Sequence, residues 1–397
     1  MKVLMITHFT NTPDEPGNNR FKYLAEILSS FGKVRVITTT FSHNEKQQRK
    51  IIKWNDINYE VQLCYEPGYS KNVCLKRFYS HYIFSKNLKK KLILSEKPDV
   101  IYCSIPSLSA AVVAGKYAKK NKIKFILDIQ DLWPEAFKMV FDLPALGKLI
   151  YLPFEIMANR AYKLADVTVA VSDTYLQRGL KKNTKKNGIC VYLGTDLKVF
   201  DRNCIENAVK KKSNEIWLTY TGTLGHSYNL KIVIDALSKI YNENLYFIVL
   251  GDGPMMQEYE AYAREKKVRA RFWGRMPYPK MCAYLNASDI AVNPIAKGAA
   301  QSIINKHADY AAAGLAVINT QENKEYRGLI EKYHCGINCG VDSVGDVENA
   351  IKYLLNYPDE RKTMGVNSRR MAEEKFDRSE TYKKIVSLCR TEDLYNE

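Results

Sequence analysis

Short β-branched runs alternating with helical stretches, twice over, constrain this chain most. Val3–Thr7, Val34–Thr39, Val100–Ser104, Phe125–Ile129, Val167–Val171 and Ile189–Leu193 read as strands, with helical stretches such as Arg20–Phe31 and Ser107–Lys120 between them. Strands separated by helices of about 10–15 residues build βαβ units and a parallel sheet. The apolar pattern stops between Phe200 and Asn214, where a polar, charged stretch reads as a linker. It then restarts with strands at Trp217–Tyr220, Tyr246–Leu250, Arg271–Trp273, Ile290–Asn293 and Ala316–Asn319. Helices are expected between these strands, among them Asn305–Ala312, and over most of the tail from Val347 to Cys389. The expected fold is α/β: two facing, doubly wound Rossmann-like domains with a helical tail. Residues 1–198 form the first domain, 199–375 the second, and 376–397 a helix packing back on the first.

At 397 residues the chain suits two domains, and it can bury a large core without disulfides or a metal. Hydrophobic residues make up 46% and charged residues 26%, which argues against disorder. No apolar run reaches the roughly 18 residues of a membrane-spanning helix. Met1–Thr7 lacks a cleavage site and reads as a first strand, not a signal peptide. The nine cysteines are odd in number and show no zinc spacing, so they read as reduced thiols of a cytosolic protein. The unusual quantity is charge: 60 Lys and Arg against 43 Asp and Glu leave +17. Such a surplus calls for a polyanionic partner: nucleic acid, an anionic membrane or a phosphorylated substrate.

In open α/β sheets ligands sit beyond the carboxyl ends of the strands, which directs attention to the loops there. Thr221-Gly-Thr-Leu-Gly225 and Gly251-Asp-Gly-Pro254 each follow a strand. Their small residues let backbone amides approach a phosphate, or merely pack strand against helix. Pro254 suits the first turn of a helix. Gly298–Gly314 is more specific. Asn305 and Lys306 fall at a helix N-terminus, where a lysine is a poor choice for the helix dipole and a good one for a diphosphate. Asp309 shares the helix face of Asn305 and could accept hydrogen bonds from a ribose diol.

Together these residues resemble the retaining nucleotide-sugar glycosyltransferases of the GT-B fold, family 4 type, in the branch that builds bacterial O-antigen, capsule or exopolysaccharide. The resemblance covers nearly the whole chain. It includes Pro13, Gly17, Asn18, Asn19 and Arg20 after the first strand, Asp131-Leu-Trp-Pro-Glu135 and Leu193-Gly-Thr-Asp-Leu-Lys-Val-Phe200. In the second half it includes Tyr220–Gly225, Leu250–Pro254, Phe272-Trp-Gly-Arg275 and Asn305–Gly314. The resemblance implies a nucleotide-sugar site at Gly17, Asn19, Arg20, Gly222, Thr223, Gly225, Gly251, Gly253, Pro254, Arg275, Ile304, Asn305, Lys306 and Asp309. Family members often carry two glutamates separated by seven residues, the first on the donor sugar and the second on the ribose. Gln301 and Asp309 stand there in this chain, so the first carboxylate has become an amide.

The resemblance also implies retention of configuration, a UDP-sugar donor and no metal or other cofactor; no Asp-x-Asp follows a strand. Lys306 is expected to stabilise the leaving diphosphate, with Arg20 reaching across the cleft, and preorganised charge of this kind is usually the largest catalytic effect. Asp131 is the candidate for binding or deprotonating the acceptor hydroxyl, its alternative being a helix cap. His8 and His226 read as polar loop residues. The expected partners are the nucleotide sugar, a lipid-diphosphate-linked saccharide and an anionic membrane surface. The expected location is cytoplasmic, on the inner face of the cell membrane, as a monomer or weak oligomer. Tyr69–Lys91, basic and aromatic, and the broken apolar stretch Met139–Phe154 suit the interface, or else a solvated face and a core helix. The competing readings are a nucleotide-sugar epimerase of the same fold and a basic nucleic-acid-binding protein, the latter without any accompanying motif.

Overall fold

A computed structural model describes residues 1–15, 19–50, 54–71, 74–135, 147–299 and 302–390. The chain forms two compact units: Met1–Val191 with the segment starting at Tyr382, and Tyr192–Thr381. Each is built on a parallel sheet.

The first sheet contains β1 (Lys2–Ile6), β2 (Lys33–Thr39), β5 (Glu60–Cys64), β6 (Val100–Ile105), β7 (Lys124–Ile129), β8 (Val167–Ala170) and β9 (Gly188–Cys190). Their order is β5-β2-β1-β6-β7-β8-β9. A small antiparallel pair, β3 (Phe41–Ser42) and β4 (Gln47–Gln48), lies between β2 and β5 in sequence. The central strands are apolar on both faces because helices cover both faces; all six residues of β6 are buried. The chain runs outward from β1 to β5, then returns to β6 on the other side of β1. That reversal makes β1/β6 the topological switch point.

The second sheet repeats this plan with β10 (Ile216–Thr221), β11 (Leu245–Leu250), β12 (Ala270–Phe272), β13 (Ile290–Asn293), β14 (Ala316–Asn319) and β15 (Gly336–Asn338). The order is β12-β11-β10-β13-β14-β15, so its switch point is β10/β13. The stretch read from sequence as a linker is in part a helix. Asp196 caps helix Leu197–Glu206 through the Val199 amide, and Leu197, Phe200 and Cys204 are buried. Three apolar residues at helical spacing are enough to anchor it, although charged residues occupy the other faces.

The first unit is held at one buried point. Arg20, at the start of helix Arg20–Ser29, pairs with Asp128 at the end of β7, Nε to Oδ2 at 3.0 Å. Its Nη1 donates to the Val191 carbonyl at 3.0 Å and to the Tyr382 hydroxyl at 3.2 Å. Asp128 also accepts from Tyr102 at 2.6 Å and from Gln130 at 2.7 Å. Both members of the pair are fully enclosed, and removing one partner leaves the other charge buried alone. Arg20→Met should therefore lower stability by about 3–5 kcal/mol, read as the shift in chemical denaturation monitored by circular dichroism. A loss below about 1 kcal/mol would show the pair to be dispensable.

Candidate functional site

The second switch point brings together the loops after β10, β11 and β13 and the start of helix Asn305–Ala312. The loop after β10 and the loop after β13 are tied by backbone bonds, Asn229 N to Pro294 O at 2.8 Å and Ala296 N to Ser227 O at 3.0 Å. The loops after β10 and β11 are tied likewise, Gly222 N to Leu250 O and Leu224 N to Asp252 O, both at 2.9 Å. Gly251 makes this crossing possible. Its φ is +149°, and a Cβ there would lie 1.9 Å from the Gly222 carbonyl oxygen. Glycine in this loop is thus required by loop packing, whatever its amides meet.

Helix Asn305–Ala312 starts beside these loops, with Ile304 at its N-cap. Ile304 has no acceptor to offer, but its amide donates to Nδ1 of His307 at 3.2 Å. The His307 ring stacks on Tyr326 at 3.6 Å between centroids and contacts Asn293 at 3.1 Å. Burial and the Lys306 charge push the imidazole below its ordinary range, so it serves the helix start as a neutral ring.

Lys306 is the unusual member. Its side chain is buried, and its ammonium lies 3.8 Å from the Tyr228 ring centroid and 4.2 Å from that of Tyr220. Nζ has no hydrogen-bond partner among the described residues. A Cβ at Gly222, whose φ is +135°, would stand 3.0 Å from Nζ. Burial alone drives the ammonium well below its ordinary range. Two aromatic faces offset part of that desolvation, on the order of 2 kcal/mol each.

Asp309, one turn further along, is also buried. Its Oδ1 accepts from the Tyr278 hydroxyl at 2.9 Å, and that hydroxyl bonds Thr195 Oγ1 at 2.7 Å. Burial pushes its carboxyl up to about 6, against the opposing effects of Tyr278, Arg378 and Thr195. Thr223, Pro254 and Arg275 are exposed, and Gly225 and Gly253 are half-buried. Gln301 and Gly17 lie outside the described residues, as does part of Met139–Phe154.

In the first unit the singled-out residues have partners within the unit. The Arg20 guanidinium bonds Asp128, Val191 and Tyr382. Asn19 caps its helix, accepting from the Phe21 and Lys22 amides at 2.8 and 3.2 Å, and takes the Thr10 hydroxyl at 3.0 Å. Asp131 accepts from the Leu132 amide at 2.9 Å and from Trp133 Nε1 at 3.2 Å. Burial raises its carboxyl. His8 uses both ring nitrogens internally, with Ser107 at 2.8 Å and Glu66 at 2.7 Å. Sequence reasoning missed the Tyr228 wall and Tyr278; aromatic residues just beyond the glycine loop and the Trp-Gly-Arg turn were the available signal.

Residues 201–371 match the sequence model of the family described as glycosyl transferases group 1. Over the whole chain, the fold is similar to HepE of Anabaena in complex with UDP, with a TM-score of 0.70 at 14% identity, covering 98% of this chain and 99% of that one. It is also similar to sucrose-phosphate synthase from Thermosynechococcus elongatus, with a TM-score of 0.76 at 15% identity and 98% of each chain covered. These findings define the class: the chain is a glycosyltransferase of the GT-B fold. More particularly, it is 22% identical over 309 residues to the Escherichia coli (strain K12) protein named as colanic acid biosynthesis glycosyl transferase WcaI, covering 74% of each.

A bound diphosphate would restore the Lys306 charge, so binding should take up a proton. With the free pKa depressed and the bound one raised, affinity falls as pH rises between the two, by up to about tenfold per unit. Calorimetry of UDP binding in buffers of different ionisation enthalpy should reveal that proton. Lys306→Ala should weaken binding and abolish the buffer dependence; an unchanged Kd and proton count would overturn the role.

Proposed function

We propose that the enzyme transfers a sugar, with retention of configuration, from a UDP-sugar to a lipid-linked saccharide in cell-surface polysaccharide synthesis. The single observation that carries the donor half is the enclosed ammonium of Lys306, facing Gly222 at the switch point with no hydrogen-bond partner among the described residues. As the bond to the sugar loosens, charge builds on the diphosphate. A desolvated cation and the amides of the helix start are already oriented toward that charge, which lowers the barrier without reorganisation. Asp309, with Tyr278 behind it, takes the ribose. The HepE structures hold UDP, UDP-glucose, or UDP and glucose, which supports UDP as the carrier. The name of the Escherichia coli relative supports the polysaccharide context. Lys306 supplies the charge that a divalent metal supplies elsewhere, so transfer proceeds without one.

Incubation with a panel of UDP-sugars should release UDP only when a polyprenyl-diphosphate saccharide is present. EDTA should leave the rate unchanged, and Lys306→Ala should lower kcat by about 10²–10³. NMR of the product should show the donor's anomeric configuration. An epimerised donor formed without acceptor would favour the epimerase reading instead.

Helix Leu75–Leu94 supports the membrane half. No helix among the described residues is long and apolar enough to cross a membrane. This helix carries six cations and no acidic residue, and exposes Leu75, Tyr79, Tyr82, Ile93 and Leu94 beside Lys76, Lys86, Lys89 and Lys90. Apolar and basic groups on one solvent face suit an anionic bilayer surface. The chain should float with vesicles rich in phosphatidylglycerol and not with pure phosphatidylcholine. Replacing Lys86, Lys89 and Lys90 by Glu should release it, and equal flotation on both vesicles would sink the assignment.

A further inference from the structure

The motif Leu193–Phe200, singled out in the sequence, takes no part in the diphosphate chemistry, yet it reaches Asp309. Its backbone is held on both sides. Gly194 has a φ of +60°, and a Cβ there would lie 2.3 Å from the Phe376 carbonyl oxygen. That close approach lets the Thr195 amide donate to the Phe376 carbonyl at 2.8 Å, while the Thr195 carbonyl accepts from the Arg378 amide at 3.0 Å. Arg378 Nε adds a bond to the Leu193 carbonyl at 2.8 Å. Asp196, next in the chain, caps helix Leu197–Glu206. Thr195 is buried and held between these anchors.

The Thr195 hydroxyl lies 2.7 Å from that of Tyr278. Tyr278 opens helix Tyr278–Asn286 and donates to Asp309 Oδ1 at 2.9 Å. An ionised carboxylate only accepts, so both protons of this hydroxyl cluster serve it: that of Tyr278 directly, that of Thr195 on Tyr278 or on Asp309. Burial raises the carboxyl to about 6, against Tyr278, Arg378 and Thr195, which all favour the charged form. The other titratable groups that face Asp309 are Cys282, from helix Tyr278–Asn286, and Tyr310, from its own helix. Burial raises both, so each stays protonated and adds no charge beside the carboxylate. All of these residues belong to the unit Tyr192–Thr381.

We infer that Thr195 and Tyr278 are positioning residues of the nucleotide site, their hydroxyls holding the Asp309 carboxylate in place as the acceptor for a ribose diol. Their role rests on the reading of Asp309 as the ribose ligand and extends it to a motif far away in sequence. A buried carboxylate accepts from a diol only while it is charged and fixed in direction, and two converging hydroxyls supply both conditions before the ligand arrives. The backbone bonds to Phe376 and Arg378 aim Thr195, and Thr195 with Tyr278 sets the carboxylate.

The test compares UDP with 2′,3′-dideoxy-UDP by calorimetry on the full-length protein, between about pH 5 and pH 8. Both ligands carry the same diphosphate, and the Lys306 charge acts on both alike, so the ratio of their Kd values isolates the diol. In the unmodified chain UDP should bind about tenfold more tightly or better at the alkaline end. That preference should collapse as pH falls through about 6, where the Asp309 carboxyl takes up its proton. Thr195→Val and Tyr278→Phe remove hydroxyls that favour the charged form. The collapse should then begin about half a pH unit higher or more, with the preference at neutral pH lowered about threefold. Thr195→Ser should restore both. A role in packing alone would lower stability and leave the midpoint where it is. Thr195→Val keeps the side-chain shape, so it decides the matter if Tyr278→Phe fails to fold. Asp309→Asn separates the two claims. If the unmodified chain shows no preference for the diol, or Asp309→Asn keeps the preference, the ribose reading itself fails and the positioning role with it. A preference lost in Asp309→Asn beside an unmoved midpoint in Thr195→Val overturns the positioning role alone.

Discussion

A lysine ammonium enclosed by two tyrosine rings, with no hydrogen-bond partner among the described residues, sets the terms for everything around it in the second domain. Desolvation of a charge is expensive, and aromatic faces offset only part of the cost. The surroundings must therefore be rigid enough to keep Lys306 in place although burial disfavours its charge. The loop-to-loop backbone bonds at β10, β11 and β13, and the His307–Tyr326 stack beneath the helix start, supply that rigidity. Gly222 leaves the one side of Nζ on which a side chain would intrude. What is destabilising in isolation becomes selective in function, because only an anion returns the charge.

The two domains share an architecture and use it differently. Both reverse their strand order at one point of the sheet, and both have cations packed over aromatic rings. In the second the cation is single, tightly boxed and adjacent to glycine loops. In the first, two cations share a ring among Phe9, Trp133 and three histidines.

Much of the second site was legible in the sequence because its signal is local. Asn305–Ala312 is a helix with Lys306 in its first turn, as the sequence pattern implied. The first domain was harder to read because its decisive contacts span long sequence distances. Arg20 looks like a ligand residue beside a Pro/Gly loop, yet its partner is Asp128, 108 positions away. Strand Glu60–Cys64 was missed because it is an edge strand with only Cys64 fully buried, so its sequence lacks a continuous apolar run. The polar stretch after Phe200 hid a helix because three buried residues sufficed to hold it. Periodicity reports burial on one face; it does not report which distant group a buried charge has found.

The Arg20 clamp has a consequence for biosynthesis. The first domain is discontinuous: Tyr382, bonded to Arg20, and the segment behind it place Ile385, Val386 and Cys389 in the same core as Val3 and Met5. Domains usually mature from the N-terminus as the ribosome proceeds. Here the first domain waits for a segment made after the second domain, while the second, continuous from Tyr192 to Thr381, has all of its own chain in hand sooner. The nascent first domain therefore spends the whole synthesis of the second with the place for its last helix unfilled. Its apolar seam around Val3, Met5 and Leu24 is the surface that a chaperone would have to shield.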